Sequence, residues 1–171
     1  MTVTDELFTA TIDSPLRPLR LVASTRGLRA ILWHGHEPHR VPSAVGHVVP
    51  GRTAVIDAAE RQLAEYFAGE RCTFDLPLDP VGSPFQHAAW DVLRTIPYGR
   101  TMTYGEQARR VGGPNDARAV GAANGRNPLS IVVPCHRVIG ASGKLIGFAG
   151  GLDAKAWLLD HERGVHQLPL A

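Results

Sequence analysis

Cysteine is scarce in this chain: Cys72 and Cys135 are the two in 171 residues. Two thiols cannot build a disulfide framework, which excludes the small stapled classes, and in a reducing compartment each is a free thiol that can do chemistry. Long apolar runs are missing too. None approaches 18 residues, so no membrane-spanning segment is expected. The stretch 1–13 has no basic segment followed by an apolar one, so no secretory signal is expected, and the cytoplasm is the default localisation. No repeat or low-complexity tract is present. His34, His36, His39 and His47, with Cys72 as a further ligand, do not match a zinc spacing. No metal is expected, the His-rich loop reads as solvated, and Cys72 reads as a small buried residue.

What is present describes a globular chain. It is 44% hydrophobic and 20% charged, enough to bury a core and too apolar for disorder. The net charge of +2 is unevenly spread. Residues 1–82 hold 8 basic and 10 acidic side chains, and residues 83–171 hold 10 and 6, so the positive excess, nearly all arginine, lies in the second half. That asymmetry fits a phosphate-facing surface there, or equally an ordinary solvated arginine-rich one.

Residues 7–33 read as a short antiparallel meander. Asp13-Ser14-Pro15 supplies one turn, Pro18 to Ala23 alternates, and Arg26-Gly27 turns into Leu28–Trp33. Residues 34–51, with three Pro, three Gly and four His, read as a loop. Val55, Ile56, Ala59, Leu63, Tyr66 and Phe67 form the stripe of a helix over 52–68, stopped at Gly69. Thr73–Leu78 is a candidate strand, and Asp79-Pro80-Val81-Gly82 a boundary. The fold class expected is an α/β N-terminal subdomain (small antiparallel sheet plus helix), residues 1–82, joined to a mainly helical C-terminal subdomain, residues 83–171, with a helix-turn-helix.

In the second half, Ser83-Pro84-Phe85-Gln86 is a capping box with Pro in the first helical position. Phe85, Ala88, Ala89, Val92, Leu93 and Ile96 make that helix's stripe, and Pro97-Tyr98-Gly99 ends it. Thr103-Tyr104-Gly105-Glu106 is a second capping box, on a short helix ending at Gly112-Gly113. Pro114 starts another, to about Asn124. Two short helices joined by Gly-Gly-Pro are the outline of a helix-turn-helix. The second carries Arg118 among small residues, Ala117, Ala119, Gly121, Ala122 and Ala123. A major-groove helix would show several long polar side chains. This pattern suits a helix pressed into a minor groove with Arg118 inserted in the base stack, or close helix–helix packing with Arg118 at the rim.

Ile131-Val132-Val133-Pro134-Cys135-His136-Arg137-Val138-Ile139 is the most chemical stretch. An apolar β-type run stops at Pro134 and presents a thiol beside an imidazole. Thiols react as thiolates and need a base or a positive neighbour. His136 can take the proton, through water if need be, and Glu162 is the candidate to orient the ring, which makes a triad by role. Neighbouring side chains on a strand point to opposite faces, so contact requires a bent backbone or a bridging water. A buried inert cysteine is the competing reading.

Pro134-Cys135-His136-Arg137-Val138 resembles the active-site motif of the O6-alkylguanine-DNA alkyltransferases (methylated-DNA–protein-cysteine methyltransferases). Phe85-Gln86 through Trp90, Ile96-Pro97-Tyr98-Gly99, Tyr104-Gly105-Glu106, Ala117 to Gly121, Asn127-Pro128, Gly150-Gly151-Leu152 and Lys155 to Glu162 resemble family motifs in order and spacing, over 83–163. Asp13-Ser14-Pro15-Leu16 resembles the first subdomain more loosely.

The resemblance implies a cofactor-free monomer that binds double-stranded DNA containing O6-alkylguanine through the minor groove and flips the base. Arg118 would fill the gap, with Ala117, Ala119, Gly121, Ala122, Asn124 and Thr103 also at the DNA. Cys135 would take the alkyl group, once and irreversibly, its thiolate made by a relay of water, His136 and Glu162. Tyr104 would hydrogen-bond the purine and help protonate it. Asn127 would brace the active-site turn, and Lys155 would support the Cys135–Tyr104 region. Val138, Phe148, Ala149 and Gly150 would line the pocket, the backbone near Cys135 and Val138 accepting the guanine amino group. Phe148 departs from the usual tyrosine, keeping the ring and losing the hydroxyl. Ala149 stands where human-type members have serine, and a backbone N–H there can still reach the guanine oxygen. Activity is expected to persist with an altered rate or alkyl preference. Rates of Phe148→Tyr across several alkyl groups test this, and an unchanged profile removes any role for the difference. The alternatives are a non-catalytic sensor of flipped O6-alkylguanine, a thiol hydrolase, and a DNA-binding regulator without chemistry.

Overall fold

The computed structural model describes residues 5–35 and 48–164. The chain divides into two compact units, Met1–Val81 and Gly82–Ala171.

In the first unit, β1 (Leu7–Ile12), β2 (Leu19–Ala23) and β3 (Leu28–Trp33) form the meander, β1 and β3 each antiparallel to β2. The Ser14 hydroxyl accepts from the Leu16 and Arg17 N–H groups, a side-chain turn that leaves Pro15 free of any ladder duty. A fourth strand, β4 (Val48–Pro50), pairs parallel with β1, giving the order β3-β2-β1-β4. The sheet is therefore mixed rather than purely antiparallel. The stretch 34–51, read as loop, ends in this strand, and Pro50 is tolerated because β4 lies at the sheet edge. His36, His39 and His47 lie outside the described residues. Thr53 caps α1 (Ala54–Phe67), which packs on the sheet through Ile56, Ala59, Leu63 and Tyr66, all fully buried.

Thr73–Leu78 does not form a strand. Its one bridge joins Leu78 to Leu28. The backbone of Asp75 is instead held at both ends by the Gln62 amide, at 2.9 and 2.8 Å, and Pro77 has no N–H for a ladder. Cys72 is exposed rather than buried, because it sits in the bend that leaves α1.

The second unit opens with α2 (Pro84–Leu93) behind the expected Ser83/Gln86 capping box. Its buried face is Ala89, Trp90 and Leu93, with Phe85 and Val92 half-buried. The rotation toward Trp90 has a cause: its indole N–H donates to the Ala123 carbonyl at 2.9 Å, so the ring packs inward without leaving an unsatisfied donor. Next come β5 (Met102–Thr103) and α3 (Tyr104–Val111), with the Thr103/Glu106 capping box and a Gly112 terminus at φ 82°. The following helix, α4 (Ala117–Gly125), begins three residues later than Pro114, because the Asp116 side chain accepts from the Ala119 N–H and fixes the N-cap there. Helices α2, α3 and α4 pack on one another, and α3 and α4 make the helix-turn-helix. β6 (Val138–Ile139) pairs parallel with β5, and α5 (Leu152–Glu162) closes the described unit. Among the described residues no helix is long and apolar enough to cross a membrane.

Candidate active site

The apolar run before Cys135 is a buried turn rather than a strand. Leu129, Ile131 and Val133 are buried, and Ile131 has φ 76°, the left-handed region a β-branched residue rarely enters. Asn127 holds the turn together: its Nδ2 donates to the Val133 carbonyl at 2.8 Å and its Oδ1 accepts from the Leu129 N–H at 3.0 Å. The turn delivers the chain into a 3₁₀ turn, Cys135–Arg137. This bend frees Cys135 and His136 from the alternating faces that an extended backbone would impose.

Burial pushes the Cys135 thiol up. A hydrogen bond from the Asn127 side chain and the charge of Lys155 pull it down without cancelling that. The thiol therefore waits for a base. His136, fully buried, has its Nε2 2.7 Å from Glu162 Oε2. Burial alone would raise the Glu162 carboxyl, but hydrogen bonds and charge from His136 and Arg137 outweigh it and hold that group far below the carboxylate range. An ionised Glu162 only accepts, so the network assigns the His136 proton to Nε2. Nδ1 is left with its lone pair and no protein hydrogen-bond partner among the described residues. Burial lowers the imidazole, Glu162 opposes this, and Arg137 and Lys155 add to it. The net shift is downward, so the ring is neutral near pH 7.

Lys155, fully buried on α5, donates to the Ile146 carbonyl at 2.9 Å and lies 3.4 Å from Tyr104 Oη. Burial lowers the ammonium and the nearby Cys135 opposes that. The Tyr104 hydroxyl donates to the same Ile146 carbonyl at 2.8 Å. Burial and then Cys135 push it up to about 12, so it keeps its proton. Cys135, His136, Glu162, Asn127, Lys155 and Tyr104 thus converge through direct contacts or charge. The Phe148 ring meets His136 edge-on at 6.4 Å between centroids, Val138 is fully buried beside the turn, and Ala149 and Gly150 lead into α5.

On α4, Val120 and Ala123 face inward, whereas Ala117, Arg118 and Ala122 are exposed and Ala119 is half-buried. Ala117, Arg118 and Ala122 therefore share an open face of α4, while Ala123 packs inward. Gly121 lies over Tyr104, and a Cβ there would sit 3.8 Å from its ring. Thr103 is occupied as the α3 cap. Asn124 does not join the outward face. Both ends of its amide pair with Gln107 at 2.8 Å, and Gln107 also donates to the Ala89 carbonyl, so Asn124 fixes α4 against α3.

Sequence reasoning missed three participants: Gln107, Trp90 and above all Arg137. The signal for Arg137 was its place directly after His136. Its Nε and Nη2 donate to the two Glu162 oxygens at 2.7 and 3.1 Å, and its Nη1 donates to the Ile96 carbonyl at 2.6 Å. Among the described residues no group of three His, Cys, Asp or Glu has the arrangement of a metal site.

Residues 84–164 match the family model described as 6-O-methylguanine DNA methyltransferase, DNA binding domain, and residues 7–80 match 6-O-methylguanine DNA methyltransferase, ribonuclease-like domain. The methylated-DNA–protein-cysteine methyltransferase of Methanosarcina acetivorans is 45% identical over 157 residues, 91% of this chain and 98% of its own. The crystal structure of Mycobacterium tuberculosis O6-methylguanine methyltransferase is similar with a TM-score of 0.82 at 45% identity, covering 96% of both chains. A crystal structure of Mycobacterium tuberculosis OGT in complex with DNA reaches 0.82 at 45% identity over 93% of both chains.

Proposed function

The chain belongs to the 6-O-methylguanine DNA methyltransferase family, and on that premise we propose that it repairs duplex DNA by moving the alkyl group from guanine O6 to the sulfur of Cys135. The observation that carries this reading is a buried thiol one residue from a neutral imidazole whose Nε2 is pinned to an ionised, buried carboxylate. The thiol proton passes to His136 Nδ1, through water where the two do not touch. The sulfur–carbon bond forms as the carbon–O6 bond breaks; the leaving guanine, its developing charge hydrogen-bonded by Tyr104, takes up one proton from water, and the proton held on His136 returns to solvent. Tyr104 holds its proton too firmly to be a strong acid. It serves as a hydrogen-bond donor that lowers the cost of the leaving charge once its hydroxyl turns from the Ile146 carbonyl to the base.

The substrate base is reached only by extrusion, because a stacked guanine hides the reacting carbon. Arg118, exposed on the small-residue face of α4, fills the vacated place, Ala117, Ala119, Gly121 and Ala122 let that face approach the minor groove, and Thr103, the cap of α3, also lies at the DNA. The product is a thioether, which neither the imidazole nor water cleaves, so each molecule acts once. The same reading makes the protein a cofactor-free monomer of the cytoplasm.

The test is stoichiometry. Incubation with excess duplex oligonucleotide bearing O6-methylguanine is expected to end at one methyl per protein, a gain of about 14 Da. More methyl groups released than protein molecules would make it a hydrolase. Tight binding without any transfer would make it a sensor.

A further inference from the structure

Glu162 is bound more heavily than a histidine-orienting carboxylate needs. Besides His136 Nε2 it takes the Arg137 fork on both oxygens and the Gly99 N–H on Oε1 at 3.4 Å. Arg137 is itself buried, and its position does not depend on Glu162 alone. Nη1 is anchored on the Ile96 carbonyl, and the guanidinium lies over the Tyr98 ring at 5.8 Å. The Ile96-Pro97-Tyr98-Gly99 turn therefore cradles the ion pair. Gly99 has φ 77°, and a Cβ there would come within 3.1 Å of the Glu162 carbonyl oxygen.

The charge arithmetic explains the need. A lone carboxylate 2.7 Å from an imidazole, out of water, favours the imidazolium. An imidazolium has no lone pair for the thiol proton. We propose that Arg137 is a positioning residue that keeps His136 neutral and able to accept that proton, by balancing the Glu162 charge that would otherwise hold the ring protonated. The inference rests on the reading of Cys135 as a nucleophile served by His136. The other charged or titratable groups facing the ring agree with it. Lys155 of α5 disfavours a second cation, and Cys135 and Tyr104 keep their protons at rest. β5 and β6 carry no titratable side chain.

The experiment uses the full chain with Cys72→Ser, so that Cys135 is the one thiol. The His136 ring nitrogens are followed by NMR against pH, assigned by His136→Gln, and Cys135 reaction with iodoacetamide is timed in parallel. In Arg137→Met the His136 midpoint is expected to rise by roughly 1–2 pH units, while the thiol reaction, which an imidazolium neighbour assists through its charge, reports only that Cys135 stays accessible. Arg137→Met with Glu162→Gln removes both charges and should return the midpoint to its starting place, whereas a merely structural role would leave the two variants alike. Arg137→Lys, which keeps the cation and covers the case that Arg137→Met does not fold, should keep His136 neutral near pH 7. An unmoved midpoint in folded Arg137→Met, or a protonated His136 in folded Arg137→Lys, overturns the proposal. The readouts need no DNA. A charge-linked shift without methyl transfer would sink the proposed function alone, and transfer without the shift would sink the Arg137 inference alone.

Discussion

Glu162→Gln is expected to lower stability by roughly 3–5 kcal/mol, because it strands the buried Arg137 cation without its anion. It also removes the charge that holds the proton on His136 Nε2, so alkyl transfer should slow by about 10²–10⁴-fold, the range spanned by general-base catalysis. The stability effect has a pH signature. The Glu162 carboxyl is depressed in the folded protein, so its contribution is complete above its unfolded value, about 4.3, and is lost as the pH falls toward the folded value. His136 adds a second slope. Its folded value is lowered, so the unfolded chain binds the extra proton and stability declines as the pH falls below about 6.5. Denaturant melts from pH 7 downward should show wild type well above Glu162→Gln near neutrality, with the two curves converging below pH ~4. Parallel curves with a constant gap would mean the carboxylate is not held by charge.

Arg118→Ala should leave the fold within about 0.5 kcal/mol of wild type, since the side chain is exposed on α4. Repair of duplex DNA should nevertheless fall about 10²-fold, the equivalent of the few kcal/mol needed to unstack and hold out a base. Reaction with a free O6-alkylguanine base, which needs no extrusion, should change little. The ratio of the two rates is the informative quantity. Equal losses in both would mean that Arg118 acts on the chemistry and is not the residue that replaces the flipped base.

Much of this was legible in the residues. The two capping boxes, the Gly112 stop and the meander turns announced their elements because each is a local hydrogen-bond device readable over four residues. The thiol, imidazole and carboxylate were named from sequence because proton transfer needs those groups. What was hidden depended on long-range choices. Thr73–Leu78 has strand composition, but a glutamine on α1 captured its backbone. The run before Cys135 is apolar in any local window, and only Asn127 binding across it makes a turn with Ile131 left-handed. The pairing of both ends of the Asn124 amide with Gln107, seventeen residues away, was equally hidden from any local window. Arg137 was overlooked for the same reason: its partners, Ile96 and Glu162, lie 41 and 25 residues away.

The central claim is that one sulfur receives the alkyl carbon. After the methylated duplex has reacted, digestion and tandem mass spectrometry of the protein locate the added methyl. The account predicts it on the peptide containing Cys135, absent in Cys135→Ser. A methyl found on Cys72, on His136, or still carried by Cys135→Ser would contradict it.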